Sequence, residues 1–593
     1  MEGIIVIICF VCILGIIIPI VLSSMKLNYG NNFQNSYFSD LNKHCNTAMI
    51  IIPHQDDEIN VAGAVIKNLV KSNCNVIVVF AINADIYNQT SKRTKEGINS
   101  CKVLGVKESN IYFLGYGNAW SQTKYTHIYH ASSNELIFSS IGKKETYGTP
   151  EHPDYATKKH GCPSIYTRTN IINNIKDLIY DHLPEQIYCV DFDAHPDHRA
   201  VSLLFEEALC QILKETDDYY PEIYKGFAYS TAWLSINDFY HLNLPSTQKP
   251  LECHLQNPIY ETDVPQYNWI NRVRIPVCKN ILTHSIVHNP ISKALLKHRS
   301  QRAFGMASKV INSDAVFWQR STNSITYKSK ISASSGNVFF LNDFKLFDCL
   351  DITKISEVEY GNYLWMPDKN DDKKEVRIEF KNPQNINKVS LYNNFDLTSI
   401  ILSGVLTFSD NSKVLVGPLN PNGSKKEVCF PTKKEISFLS FKILTYEGRA
   451  PGLTEIEVFS PNKKKEQIQI IKLLDKDNDM FIYRYFVKTG IEEVPLEIYQ
   501  YPESLSYNTM IINQEESKAY LENEIIHFEK GFKYCKVRVE LKDYNNIYDE
   551  VEFIQLNHWD IFIYNDLTYI SKIATFLIKV YYRIRDYFYI QVK

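Results

Sequence analysis

Outside its first hydrophobic segment the chain of 593 residues has no CxxC pair, although it holds 13 cysteines. Scattered singly, they indicate neither a thiolate zinc module nor a disulfide framework. Cys9 and Cys12 fall in the first hydrophobic segment, and the odd number left elsewhere argues against a fully paired set while allowing one or two bridges. Net charge is also scarce. Lysine and arginine number 64 against 67 acidic residues, a balance of −3, so nothing marks the whole chain for nucleic acid. No Gly-rich phosphate loop, no Ser or Cys nucleophile motif, no internal repeat and no long disordered stretch stands out. What is present is length for three or four domains and a 45% hydrophobic content that allows ordinary cores.

Charge is missing altogether from Gly3 to Ser23, a run of Ile, Val, Leu and Phe long enough to span a bilayer as a helix. A cleaved signal peptide competes, but the run is long and only Glu2 precedes it. Residues 1–25 are therefore expected to be an uncleaved single-pass anchor, and the polar, Asn-rich residues 26–46 a stalk.

The next stretch organises the chain. Met49 to Ile52 is a run of apolar β-formers, Pro53 cannot continue it, and His54, Asp56, Asp57 and Glu58 crowd onto the exit. Such a concentration of charge at a strand end is costly unless a cation or a substrate uses it. Strands are expected again over Asn75–Ala81, Asn110–Leu114 and Gln186–Asp191, and helices over Val61–Val70, Ser91–Leu104, Asn170–Asp181 and Arg199–Leu213. This alternation predicts a parallel sheet covered by helices, whose ligands bind at the carboxyl edge. A second motif, D-F-D-A-H-P-D-H from Asp191 to His198, leaves the fourth strand at that same edge. Two strand ends then deliver His54, Asp57, His195, Asp197 and His198 together, and imidazole with carboxylate suits zinc. The H-P-D of His152–Asp154 has neither a preceding strand nor a closing His, and reads as a surface loop.

The pair P-H-x-D-D-E and H-P-D-H resembles the PIG-L/LmbE family of zinc-dependent de-N-acetylases over about Thr47 to Trp318. The likeness includes R-T-K-E at Arg93–Glu96 and K-A-L-L-K-H-R-S-Q at Lys293–Gln301; Gln55 replaces the commonest Pro at a spacer position. The resemblance implies an α/β Rossmann-like fold, a parallel sheet with helices on both faces. It implies His54, Asp57 and His198 as Zn2+ ligands and Asp56 as general base. His195 would be the group that meets the oxyanion and protonates the leaving amine, with Asp197 holding that imidazole charged. Arg93 and His298 become substrate-binding candidates, with His298 and Gln301 on a helix over Ser292–Ser308. Glu58, Glu96, Asp191 and Asp193 are expected to support the site.

Beyond residue 335 the pattern changes to short alternating strands bounded by turn residues, an all-β sandwich signature. R-I-E-F, K-V-S-L-Y, V-L-T-F-S and the closing G-L-T-E-I-E-V-F resemble a discoidin (coagulation factor 5/8 type C) module, which implies glycan binding. Trp365 and Tyr446 are the stacking candidates, and core packing explains either as well. The expected organisation is multidomain, with an anchor (1–25), a stalk (26–46) and a deacetylase domain (47–325). A discoidin-like sandwich (335–461), an immunoglobulin- or PKD-like sandwich (465–556) and a basic, aromatic, amphipathic segment (565–593) follow. The expected function is a membrane-anchored deacetylase of an N-acetylglucosamine-type sugar in a glycan or glycolipid. A non-catalytic glycan-binding surface protein and an amidase on another N-acyl group are the alternatives. Lys26 and Lys43 weakly favour a cytoplasmic body; glycan-binding modules favour an extracytoplasmic one, which is the expectation retained.

Overall fold

A computed structural model of the chain describes residues 45–85, 89–118, 127–191, 195–228, 273–275, 289–302, 315–346, 360–394, 398–420, 425–461, 467–473, 484–487, 490–501, 506–512, 517–542, 544–555 and 580–589. The expected anchor, nearly all of the stalk, and Asp193 lie outside the described residues. Among those described, no helix is long and apolar enough to cross a membrane.

Strands β1 (Thr47–Ile52), β2 (Asn75–Ile82), β3 (Ile111–Tyr116), β4 (Gln186–Val190) and β5 (Glu222–Gly226) pair in parallel, and β6 (Val273–Ile275) and β7 (Ala315–Arg320) extend the sheet antiparallel. The order is β3-β2-β1-β4-β5-β7-β6. The crossovers carry α1 (Asp57–Lys71), α2 (Thr90–Leu104), α3 (Arg168–His182) and α4 (Pro196–Glu215). β1, from Ala48 to Ile52, is buried on both faces, which suits its unbroken apolar run. Strand order reverses between β1 and β4, whose registers align Ala48 with Gln186 and Ile51 with Cys189. That reversal opens a crevice at the carboxyl ends, where doubly wound sheets bind ligands. Both motifs leave the sheet there.

One expectation fails in this body. Of the helix foreseen over Ser292–Ser308, residues 303–308 lie outside the described residues, and the described part forms only a short α5 (Pro290–Leu295), started by Asn289, whose side chain accepts the amides of Ile291 and Ser292. Tight turns follow, Lys297 N–H to Ala294 O and His298 N–H to Leu295 O, so His298 and Gln301 lie on a turn. The next section shows what holds that turn.

A second sheet contains β8 (Lys330–Ala333), β9 (Glu375–Asn393), β10 (Ile400–Phe408), β11 (Lys413–Val416), β12 (Lys425–Glu447) and β13 (Leu453–Phe459), in the path β11-β10-β12-β9-β13 with β8 on β9. β9 unites two segments read as separate strands, R-I-E-F and K-V-S-L-Y. Register shifts between Cys429 and Phe438 bend the pair, so that one ribbon serves two parts of the sandwich. Trp365 is fully buried in this core, with its indole N–H on Ser335 O, so core packing is its role; Tyr446 is 41% exposed and stays available for stacking. A third core gathers Val494, Ile526, Val537, Val551 and Phe553 between two four-stranded sheets. The last described helix, α6 (residues 580–589), sits on the first body, against Arg299.

Candidate metal centre and active site

The exit from β1 is strained where the chemistry concentrates. Asp56 has φ 146° and ψ −23°, on the positive side of the map that side-chain-bearing residues seldom occupy. Its amide is held by Glu58 Oε2 at 2.9 Å. Backbone strain of this kind costs about 1–3 kcal/mol and persists where surrounding bonds over-determine it. The spacer Gln55 is fully buried, donates to Ile82 O, and lies against Gly97 of α2, where an added Cβ would meet it at 3.2 Å.

The two strand ends meet around Asp57. Its Oδ2 lies 3.3 Å from His54 Nδ1 and 3.3 Å from His198 Nε2, and accepts the His54 amide at 3.0 Å. Burial opposes the carboxylate's charge, but the His198 and His54 imidazoles hold Asp57 well below the usual carboxylate range. The other nitrogen of His54, Nε2, lies 3.0 Å from Asp197 Oδ2. Against the effect of burial, Asp197 and Asp57 raise the His54 pKa above its ordinary value.

The Asp197 carboxylate hydrogen-bonds to His54 and accepts from Asn118 Nδ2 at 2.6 Å, while His195 acts on it through charge. The hydrogen bond that orients His195 comes from the Asp197 backbone, whose N–H donates to His195 Nδ1 at 3.1 Å as His195 caps α4. With Nδ1 accepting from the chain, Nε2 is the ring nitrogen left to face a substrate. Nitrogens of His54, His195 and His198 lie within 4.8 Å of one another, which makes three imidazoles a competing donor set.

Asp56 stands beside this group. Burial and then the Asp57 charge push its carboxyl up to about 6, against the pull of Arg93, His298 and His54. Arg93 Nη2 donates to Asp56 Oδ1 at 3.2 Å, to Gln55 O at 3.1 Å and to Gln301 Oε1 at 2.6 Å. His298, the other substrate-binding candidate, is buried with its Nε2 on Glu58 Oε1. Glu96 accepts from the Ser300 amide and hydroxyl at 3.0 and 2.6 Å. Glu58 and Glu96 thus fix the turn that an uninterrupted helix would have straightened. Asp191 takes Ser202 Oγ at 3.3 Å and faces buried Lys225, consistent with shaping the loop after β4. Asp154 caps the short helix Tyr155–His160 and accepts from Thr146, a structural use of the H-P-D stretch.

Sequence reasoning missed Asn118 and Asp85. Asn118 leaves β3 at the same carboxyl edge, and its amide is accepted by Asp85, which follows β2 and also takes the Tyr147 hydroxyl at 2.7 Å. Their signal was position alone: each stands just beyond a strand that ends at the crevice.

The donor set fits a divalent zinc ion. One carboxylate and two imidazoles converge on a single buried spot, the carboxylate is ionised, and Asp197 accepts from the second nitrogen of His54, as a metal-holding imidazole requires.

Several solved structures resemble parts of the chain. An N,N'-diacetylchitobiose deacetylase from Pyrococcus horikoshii, complexed with its inhibitor MPG, is 18% identical over 32% of this chain and 63% of its own, with a TM-score of 0.19. A deacetylase in the biosynthesis pathway of teicoplanin is 14% identical over 46% of this chain and 97% of its own, TM-score 0.25. A family 32 CBM from C. perfringens NanJ, in complex with galactose, is 14% identical over 23% and 97%, TM-score 0.18. A search of curated proteins finds no match. Residues 361–459 match a domain family of unknown function, DUF7402. Residues 49–209, which carry both strand-end motifs, match the family described as PIG-L: GlcNAc-PI de-N-acetylase.

Proposed function

We propose that the chain is a zinc-dependent de-N-acetylase that hydrolyses the N-acetyl group of an N-acetylglucosamine-type sugar in a glycan or glycolipid. The observation that carries this reading is Asp57 Oδ2, placed 3.3 Å from both His54 Nδ1 and His198 Nε2 beside a carboxyl poised at about 6. His54, Asp57 and His198 would hold the zinc ion, which when bound supplies a Lewis acid for the amide carbonyl and lowers the pKa of water. Asp56, near neutrality and free of the donor set, takes the proton of the attacking water. Arg93 keeps that carboxylate ionised and aimed. His195 Nε2–H donates to the oxygen that gains charge, and the proton taken up by Asp56 passes to the departing nitrogen. The new C–O bond gives acetate, the C–N bond breaks, and the sugar keeps a free amine.

The apolar run Gly3–Ser23 supports a membrane anchor, and the glycan-binding character of the appended module favours a body outside the cytoplasm. The β-sandwich over residues 335–461, discoidin-like in its closing strand, would hold the enzyme on its target. Metal content and acetate release test the proposal together, using the full chain, N-acetylglucosamine oligosaccharides and His54→Ala. Near-stoichiometric zinc with acetate release abolished in the variant is expected. Zinc without acetate would move the reaction to another N-acyl group, and neither would leave a glycan-binding protein without turnover.

A further inference from the structure

The two faces of α6 differ in kind. Inward, Asp586 is 2% exposed and lies 3.8 Å from Arg299 Nε. The Arg299 guanidinium stands 4.0 Å over the Tyr589 ring, Lys92 Nζ reaches the same ring at 5.1 Å, and Arg302 lies 5.9 Å from the Tyr587 ring. Tyr582 packs against the core of the first body. Outward, Tyr581 is 63% exposed, Ile584 53%, Tyr587 49% and Phe588 63%. The spacing 581, 584, 588 puts three of them on one helical face, with Tyr587 beside it. Isolated exposed apolar residues are ordinary on a folded surface, but four within so short a helix form a patch.

Basic residues outnumber acidic ones on the helix and on the turn beneath it. Arg583 is exposed on the flank of the helix and exposed Arg302 stands by the Tyr587 ring, while Arg585, Arg299 and Lys92 lie nearer the inward side. The helix has one carboxylate, Asp586, which is buried and taken by Arg299 and Arg585. Aromatic rings with arginines at their rim match the headgroup region of a bilayer, where the rings enter the acyl boundary and the guanidiniums stay with phosphates. Basic residues near an anionic surface add attraction that salt screens. We propose that the outward face of α6 docks on an anionic lipid surface. The seat of the helix is the turn that carries Gln301, the partner of Arg93, so lipid contact and the general base share one support. The inference goes beyond the deacetylase reading and does not depend on it.

Amide hydrogen exchange of the full chain tests it without turnover. Exchange over residues 580–589 is followed with phosphatidylcholine vesicles, and with vesicles in which about a third of the lipid is phosphatidylglycerol. Expected is slowing of about tenfold or more with the anionic vesicles alone, lost in a variant with Tyr581→Ser, Ile584→Ser and Phe588→Ser. These substitutions leave the inward face intact, and unchanged exchange in β1–β5 checks that the body is folded. No slowing with either lipid, or equal slowing with both, overturns the proposal. So does slowing without lipid that grows with protein concentration, which would make a second copy the occupant.

Discussion

Removing Arg93 should move the acid limb of catalysis upward. The guanidinium lies 3.2 Å from Asp56 Oδ1, with side chains 17% and 23% exposed, so water screens the pair only in part. Burial and Asp57 push Asp56 up to about 6 even with Arg93 in place. An arginine beside an aspartate lowers its pKa by about 1–3 units, and partial exposure puts this pair near the lower end. One unit is about 1.4 kcal/mol of preference for the ionised form. Arg93→Gln should therefore shift the limb from about 6 to about 7. The sign follows from the base role: a protonated Asp56 cannot take a proton, so activity falls as pH drops through its pKa. At about pH 6 roughly half of the parent enzyme and a tenth of the variant would be active, a fivefold deficit, while at about pH 8.5 the two would nearly coincide. Acetate release across pH, with both proteins zinc-loaded, gives kcat/KM. A uniform loss at every pH with an unmoved limb would refute the argument and make Arg93 a substrate contact instead.

The donor set can be tested without turnover: Asp57→Ala should abolish bound zinc and His195→Ala should retain it, read by metal analysis after gel filtration. The opposite pattern would favour the three-imidazole set. His298→Ala leaves the Glu58 carboxylate buried without its partner, and denaturant titration should show a loss of about 3–5 kcal/mol. In the sandwich, Trp365→Ala should cost about 3–5 kcal/mol of stability because it empties a fully buried site. Tyr446→Ala should leave the denaturation midpoint within experimental error and act, if at all, on glycan retention.

The parallel sheet and its two loops were legible because they obey local rules. An unbroken apolar run reads as a doubly buried strand, Pro ends it, and charge at its exit needs a use. Parallel order then brings β1 and β4 side by side, so two motifs about 140 residues apart meet across one crevice. What could not be read was set by partners distant in sequence. Residues 292–301 have helical spacing, yet Glu58 takes His298 and Glu96 takes Ser300, bonds across 240 and 204 positions that no window of sequence contains. Two buried carboxylates satisfied by that turn outweigh the propensity to continue a helix, a few tenths of a kcal/mol per residue. The same bonds bring Gln301 to Arg93, and Arg93 to the base. Asp197 makes the point most sharply. Its neighbour in sequence is His195, so local reading paired their side chains. Capping geometry gives His195 the backbone amide instead and leaves the carboxylate for His54. A side chain at the second position of a helix points away from the cap it supports, and here that direction decides which imidazole is oriented by carboxylate and which by the chain itself.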